Sequence, residues 1–330
     1  MKSTRQRCVS ACASIAALAA IWGFAAQAQP ANKPVRLIVG FAAGGGTDIS
    51  ARFMADKLRG VYAQTVIVEN RVGAASRIAI EHVKNSEPDG TTLLFTPDFP
   101  MVVYPHSYKK LDYDPVRDFI AAAPISRTNL VVSVGPAVPE SVKTVADFVQ
   151  WAKANPKGAF FATTSAGATP HFTGVMLSRA AGIELTPVHY KGGGPAMQDL
   201  IGGQVPMGVN PVSEALPNAN ARKIRVIATT GTERSNFFPD VPTMVESGYK
   251  DVVVIGYTGF YMPAKTPPQI VAKFNAAVTG LLKTEEMRQS LAKLGANAFT
   301  ATSEEFGQII RRELERWGPV VKASGFTAED

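Results

Sequence analysis

Val35-Arg-Leu-Ile-Val39, then Gly40-Phe41-Ala42-Ala43-Gly44-Gly45-Gly46-Thr47-Asp48, then Ile49 to Leu58 follow one another without a break. The first stretch is a short apolar run and reads as a buried strand. The last carries apolar residues at helical spacing, and the glycine-rich loop joins the two. Val66-Ile-Val68 and Thr91-Thr-Leu-Leu-Phe95 read as further strands, with a helix near Ala75 to Lys84 between them. This βαβαβ order calls for a parallel sheet with helices on its faces, so the fold class is α/β.

The same order begins again after residue 130. Leu130 to Val134, Ala159 to Ala162, Thr186 to Tyr190, Val205 to Val209 and Ile224 to Ala228 read as strands. A helix starts at Thr169-Pro170, with the threonine as its N-cap and proline in the first turn, and another covers Pro195 to Ile201. Two similar α/β halves therefore share one chain. Pro268 to Leu282, Glu285 to Leu294 and Ser303 to Lys322 return to helix. The last carries Phe306, Ile309, Ile310, Leu314, Trp317 and Val321 on one side, and such a stripe needs a partner face. Docked on the first half, it would leave two lobes joined by two crossings, which is a hinge architecture.

The amino terminus reads as a cleaved signal peptide over residues 1–28. Lys2, Arg5 and Arg7 precede an apolar run from Val9 to Ala26, and Ala26-Gln27-Ala28 supplies the small-x-small cleavage pattern. Ser10 and Ser14 interrupt the run, against a retained anchor. Val9-Ser10-Ala11-Cys12 resembles a lipobox, but most of the apolar run follows the cysteine instead of preceding it. Cys8 and Cys12 leave with this segment, so the mature chain offers no disulfide and no thiolate. Lys+Arg falls from 34 to 31 against 27 acidic residues, and the net charge from +7 to +4. With no basic run and no interleaved aromatics, nucleic acid is not an expected partner. The mild excess favours an anionic small ligand.

Three strand-to-helix loops carry the chemistry. In the first, Gly40 to Asp48, glycines let backbone approach a ligand, and free N–H groups at the helix start favour an anion. A plain tight turn is the alternative. A phosphate loop needs lysine where Gly46 stands, and no glycine follows at the dinucleotide spacing, so no nucleotide cofactor is expected. The second loop, Thr163-Thr164-Ser165-Ala166-Gly167-Ala168-Thr169-Pro170-His171, is rich in hydroxyls. It is either an ordinary cap or a second anion-friendly loop across a cleft from the first. The third is Tyr190-Lys191-Gly192-Gly193-Gly194-Pro195, whose lysine either neutralises a carboxylate or is solvated. The four histidines, His82, His106, His171 and His189, lack metal-ligand spacing. No nucleophile elbow and no acid–base pair at a readable spacing point to an enzyme.

Longer strings carry a resemblance. Lys33-Pro-Val-Arg-Leu-Ile-Val-Gly-Phe-Ala-Ala-Gly-Gly-Gly-Thr-Asp48, Val68-Glu69-Asn70-Arg71, Glu87-Pro-Asp-Gly-Thr-Thr-Leu-Leu94 and Tyr108-Lys-Lys-Leu-Asp-Tyr-Asp-Pro-Val-Arg-Asp-Phe119 resemble the Bug-type substrate-binding proteins of tripartite tricarboxylate transporters. So do Tyr190-Lys191-Gly192, Asp199-Leu-Ile-Gly-Gly-Gln-Val205 and Phe238-Pro-Asp-Val-Pro-Thr-Met-Val-Glu-Ser-Gly248. The resemblance covers Lys33 to Phe326. It implies a two-lobe periplasmic binding protein fold of the second type, with crossings near Arg127–Val131 and Val254–Phe260. The lobes would be 29–128 with 256–330, and 129–255. It also implies a periplasmic monomer that holds a small organic carboxylate between the lobes, without a cofactor, and delivers it to membrane transporter subunits. Docking on a sensor kinase is the alternative use of the same fold. By motif position, Phe41, Ala43, Gly46, Thr47 and Asp48 carry over as first-lobe site residues, and Thr163, Ser165, Gly167 and Thr169 as second-lobe ones.

Three departures bear on the ligand. Val72-Gly-Ala-Ala-Ser-Arg77 replaces a glycine-rich run and adds a cation. Asn210 stands where the family often has Asp. Phe95-Thr-Pro-Asp-Phe-Pro-Met-Val-Val-Tyr104 brings a carboxylate and aromatics. Asp98 either accepts a hydrogen bond from the ligand or caps a short helix at Phe99-Pro100. Asp98, Asn210 and a wall of Phe41, Phe99 and Tyr104 lead to the expectation of a carboxylate whose far end is apolar or a hydrogen-bond donor. One loop is not enough for such a ligand. Micromolar affinity needs about 8 kcal/mol, charged hydrogen bonds give ~1.5–3 kcal/mol each, and association costs ~4 kcal/mol or more, so both lobes should contribute.

Overall fold

A computed structural model describes residues 33–190 and 192–328. The signal-peptide reading and Lys191 lie outside the described residues. The first half is built as the sequence suggests. β1 (Val35–Val39) runs into α1 (Gly46–Leu58), β2 (Val66–Asn70) into α2 (Arg77–Lys84), and β3 (Thr92–Pro97) into the short helices α3 (Phe99–Val102) and α4 (Tyr104–Ser107). β1 lies between β2 and β3, parallel to both, with Leu37 opposite Val68 and Leu93. Each helix follows the C-terminal end of its strand and carries the chain back for the next parallel strand.

β4 (Phe119–Val134) is a single strand of 16 residues. Only its last part, Leu130 to Val134, is expected from the sequence. Pro124 hides the rest, because proline removes a ladder donor, and here it sits where the pairing with β9 (Ile255–Pro263) slips by a residue. β4 also joins the halves. Phe119 to Asn129 pairs with β9, while Leu130 to Val134 pairs with β7 (Met207–Pro211) and β8 (Arg225–Thr229).

The second half orders α5 (Val145–Ala154), β5 (Phe160–Thr163), α6 (Thr169–Ala181), β6 (Thr186–His189), α7 (Gly193–Ile201), β7, α8 (Val212–Asn220) and β8. β5 lies parallel between β6 and β7. α5 starts on a reciprocal box in which Thr144 and Asp147 satisfy each other's backbone donors. α6 corrects one expectation: its N-cap is Ala168, and Thr169 is already inside the first turn, without a side-chain cap. Each half is thus mainly parallel, with β9 antiparallel in the first and β4 in the second. The result is a two-lobe, curled α/β sheet with strand order β2-β1-β3-β9-β4-β7-β5-β6.

α9 (Pro268–Leu282), α10 (Glu285–Lys293), β10 (Asn297–Ala298) and α11 (Ser303–Ser324) return to the first half. α11 buries Phe306, Ile310, Trp317 and Val321. Phe306 packs on Tyr261 of β9, and Ser303 Oγ donates to the carbonyl of Ala121 in β4. Its last turns also reach the second half, where Trp317 meets Phe172 and Arg179 donates to the Ala323 carbonyl. Among the described residues, no helix is long and apolar enough to cross a membrane.

Candidate functional site

Asp48 organises the first loop. It is 2% exposed, in the first turn of α1. Its carboxylate accepts from Gly44 N–H at 2.8 Å, Arg52 Nε at 3.0 Å and Asn70 Nδ2 at 2.8 Å. Asn70 also donates to the Phe41 carbonyl at 3.0 Å. Burial alone would raise the carboxyl, but the bonds from Arg52, Gly44 and Asn70 outweigh it and hold it down to about 2. The loop is therefore tied to the end of β2, and Ala43 and Gly46 stand exposed with Thr47 half-buried at the start of α1. The N-cap of α1 is Gly45, with no side-chain cap, so no capping side chain occupies its first-turn N–H groups, a setting that favours an anion.

The neighbouring loop is strained. Ala74, Ala75 and Ser76 all take left-handed backbone, with φ of 44°, 52° and 78°, and α2 begins only at Arg77, not near Ala75 as expected. Each such residue costs on the order of 1 kcal/mol. The turn seats Ser76 against Gly40, where an added methyl group would lie 1.8 Å from Ser76 Oγ. Gly40 thus serves close packing between two loops.

Aromatic rings extend from this edge. Phe41 meets Phe99 at 6.0 Å between ring centres, Phe99 meets Tyr104 at 5.6 Å, and Tyr104 meets Tyr108 at 4.9 Å. The Arg77 guanidinium lies 4.3 Å above the Tyr108 ring. Tyr104 is buried, so Phe41 and Phe99, both half-buried, present the apolar surface.

Asp98 neither caps α3 through its side chain nor stands open. It is 3% exposed, and its Oδ2 accepts from Tyr257 N–H of β9 at 3.1 Å while its own N–H donates to the Tyr257 carbonyl. Burial pushes the carboxyl up to about 7, with Glu313 adding to the rise and the Tyr257 N–H and Arg316 opposing it.

In the second loop Thr163 is buried and donates from Oγ1 to the Ser165 carbonyl at 3.1 Å, and Ser165 is half-buried. Thr169 is buried, its carbonyl accepting from Thr173 Oγ1. Gly167 has φ of 71°, and its N–H donates to His171 Nδ1 at 3.2 Å. An added methyl there would lie 3.0 Å from the Phe326 ring and 3.9 Å from Ser107 Oγ. Ser107 ends α4, beside Tyr108, and its carbonyl accepts from Ala328 N–H. Contacts thus run from Phe41 through the aromatic series to Tyr108 and, by way of the adjoining Ser107, to Gly167 of the second loop, which links the two loops, one from each half.

His171 is 3% exposed and packs on Phe172, His189 and Phe326. Burial, aided by His189, pushes its pKa down to about 4. A neutral ring is also what leaves Nδ1 free to accept from Gly167. Because the folded pKa lies below the ordinary 6.5, the stability tied to this group is complete above pH 6.5. It is lost as pH falls toward 4, up to about 3 kcal/mol. Proton NMR should find the His171 ring neutral until about pH 4; titration near 6.5 would contradict this.

Asn210, at the end of β7, is 1% exposed, with Oδ1 unpartnered. Its Nδ2 donates to Glu214 Oε2 at 3.1 Å. Sequence reasoning misses Glu214, although an acidic residue one turn after Asn210, in the first turn of a helix, is a visible signal. Among the described residues no group of three or more metal-ligating side chains gathers.

The family model described as the tripartite tricarboxylate transporter family receptor matches residues 50–326. Among solved structures, Rpa4515 of R. palustris with adipate is 28% identical with a TM-score of 0.81, covering 89% of this chain and 98% of that one. MatC from Rhodopseudomonas palustris with bound malate is 29% identical with a TM-score of 0.77, covering 87% and 98%. The periplasmic binding protein BugD is 29% identical with a TM-score of 0.78, covering 90% and 99%.

Proposed function

The chain belongs to the tripartite tricarboxylate transporter receptor family, a family of solute-binding receptors and not of enzymes, and from that premise we propose that it captures a small organic carboxylate in the periplasm and hands it to a tripartite-type membrane transporter. The observation that carries this reading is the pair of loops at strand C-termini, one in each half, linked by the contacts that run from Phe41 through Tyr108 to Gly167. The uncapped start of α1 at Gly46–Thr47 receives one carboxylate, and the Thr163–Thr169 loop closes on it from the other lobe. The lobes are 29–128 with 256–330, and 129–255, and the receptor acts as a monomer. Phe41 and Phe99 face the ligand's carbon chain. Ala43, Gly46 and Thr47, then Thr163, Ser165, Gly167 and Thr169, shape the anion contacts. Asp48 and Asp98 work through the backbone they hold, and Asn210 flanks the second lobe's wall. Neighbours bound to adipate and malate support a carboxylate of this size for this chain as well.

Calorimetry with mono- and dicarboxylates of three to eight carbons and their amides tests the reading. Acids should bind, and each amide at least tenfold more weakly, since a lost charged hydrogen bond is worth ~1.5–3 kcal/mol. Equal affinity for an acid and its amide would end it.

A further inference from the structure

Glu214 has no function in the reading above, yet its surroundings are specific. It lies in the first turn of α8 and is pressed against the first turn of α7, where a methyl group added at Gly193 would come within 2.0 Å of its carboxyl oxygen. Asn210 Nδ2 donates to it at 3.1 Å. Among the described residues, no lysine or arginine forms an ion pair with it. The Asn210 Oδ1 on the other side of that amide lies back over Gly208, where an added methyl group would come within 2.7 Å of it, so the amide turns only its Nδ2 toward Glu214. Glu214 is half-buried, and its carboxylate holds one hydrogen bond and no cation, so it keeps acceptor capacity for a further donor.

Both groups stand at the C-terminal edge of the second-lobe sheet, where ligands sit in open α/β folds. Ser213, next to Glu214, touches Gly295, and Thr128 Oγ1 of β4 donates to the Gly295 carbonyl. This wall therefore abuts the strand that links the two lobes. Burial raises the Glu214 carboxyl above its ordinary value, the response of an acceptor left without a charged partner.

We propose that Glu214, held in place by Asn210 Nδ2, is a specificity-determining acceptor of the second lobe that selects carboxylates bearing an ammonium or hydroxyl donor. The proposal rests on the carboxylate-receptor reading. A plain carboxylate of the same length brings Glu214 no donor and meets its charge. An amino or hydroxy acid supplies the donor.

The test uses two matched sets of acids: succinate, malate and aspartate, and adipate, 2-hydroxyadipate and 2-aminoadipate. Calorimetry measures each with the mature wild-type protein and with Glu214→Gln, which keeps the shape and one acceptor and removes the charge. In the set that binds, the wild type should prefer a substituted member over the plain acid at least fivefold. Glu214→Gln should erase most of that preference, weakening the substituted acid while the plain acid binds as well or better. Glu214→Ala should do the same, with thermal melts checking that both variants fold. No preference in the wild type, an unchanged preference in the variants, or equal weakening of all members would overturn the proposal. Failure of all six acids and of the wider carboxylate panel to bind the wild type would instead sink the receptor reading on which it stands.

Discussion

Replacing Asp98 by asparagine is expected to stabilise the protein at pH 8 and to flatten its stability between pH 4 and pH 7. The carboxyl is buried, and its pKa stands at about 7 in the folded chain against 3.8 in the ordinary case. The folded state therefore holds a proton that the unfolded chain has released, so stability is fully present below pH 3.8 and is lost as pH rises through 7. The shift corresponds to about 4 kcal/mol. Asparagine keeps an acceptor for Tyr257 N–H and never ionises. Its amide brings two donors to a site shaped for a carboxyl, and leaving one unsatisfied costs about 1–3 kcal/mol. The net gain at pH 8 should be about 1–3 kcal/mol in urea unfolding, shrinking to nothing or a loss at pH 4. Ligand affinity should change less than twofold, because the side chain holds β9 to β3. A fivefold loss of affinity with unchanged stability would instead make Asp98 a ligand contact.

That result bears on what could be read in the sequence. The position of Asp98 after an apolar strand is legible, and so is its place at the sheet's C-terminal edge. The direction of its side chain is not, because it depends on Tyr257, 159 residues away in β9. The same holds for the strands. Val35–Val39 and Thr92–Pro97 are short, apolar and bounded by turn residues, and their places follow from local pattern. Phe119 to Asn129 is equally buried but contains Pro124, and only the slipped pairing with β9 makes that tolerable.

The site divides along the same line. Glycine at Gly40 to Gly46 and hydroxyls at Thr163 to Thr169 mark two loops from spacing alone. Glu214 becomes conspicuous only when α7 and α8 bring Gly193 against it. The left-handed run at Ala74 to Ser76 goes against local preference, since alanine resists such backbone, and it is fixed by packing of Ser76 on Gly40. Local pattern thus fixes elements and loops, whereas side-chain roles are set by contacts between segments far apart in the chain.

Replacing Asp48 by alanine should cost both stability and binding, and the two losses have one cause. The carboxylate accepts three hydrogen bonds, from Gly44 N–H, Arg52 and Asn70, and Asn70 in turn holds the Phe41 carbonyl. Charged hydrogen bonds are worth ~1.5–3 kcal/mol each. Arg52 is half-exposed and regains water, so its bond counts for little. The remaining two suggest a loss of about 3–6 kcal/mol in urea unfolding at pH 7. Without the tie, Gly44 and Phe41 are no longer held at the start of α1, and the donors of that turn must be ordered by the ligand itself. Fixing even one residue's backbone costs about 1–2 kcal/mol, so affinity for the best carboxylate should fall at least tenfold. Asp48→Asn separates the two effects. Its amide oxygen can still accept from Gly44 N–H, so it should recover part of the affinity while remaining less stable than the wild type. A variant that keeps wild-type affinity after losing the full stability would show that the first loop is not where the carboxylate binds.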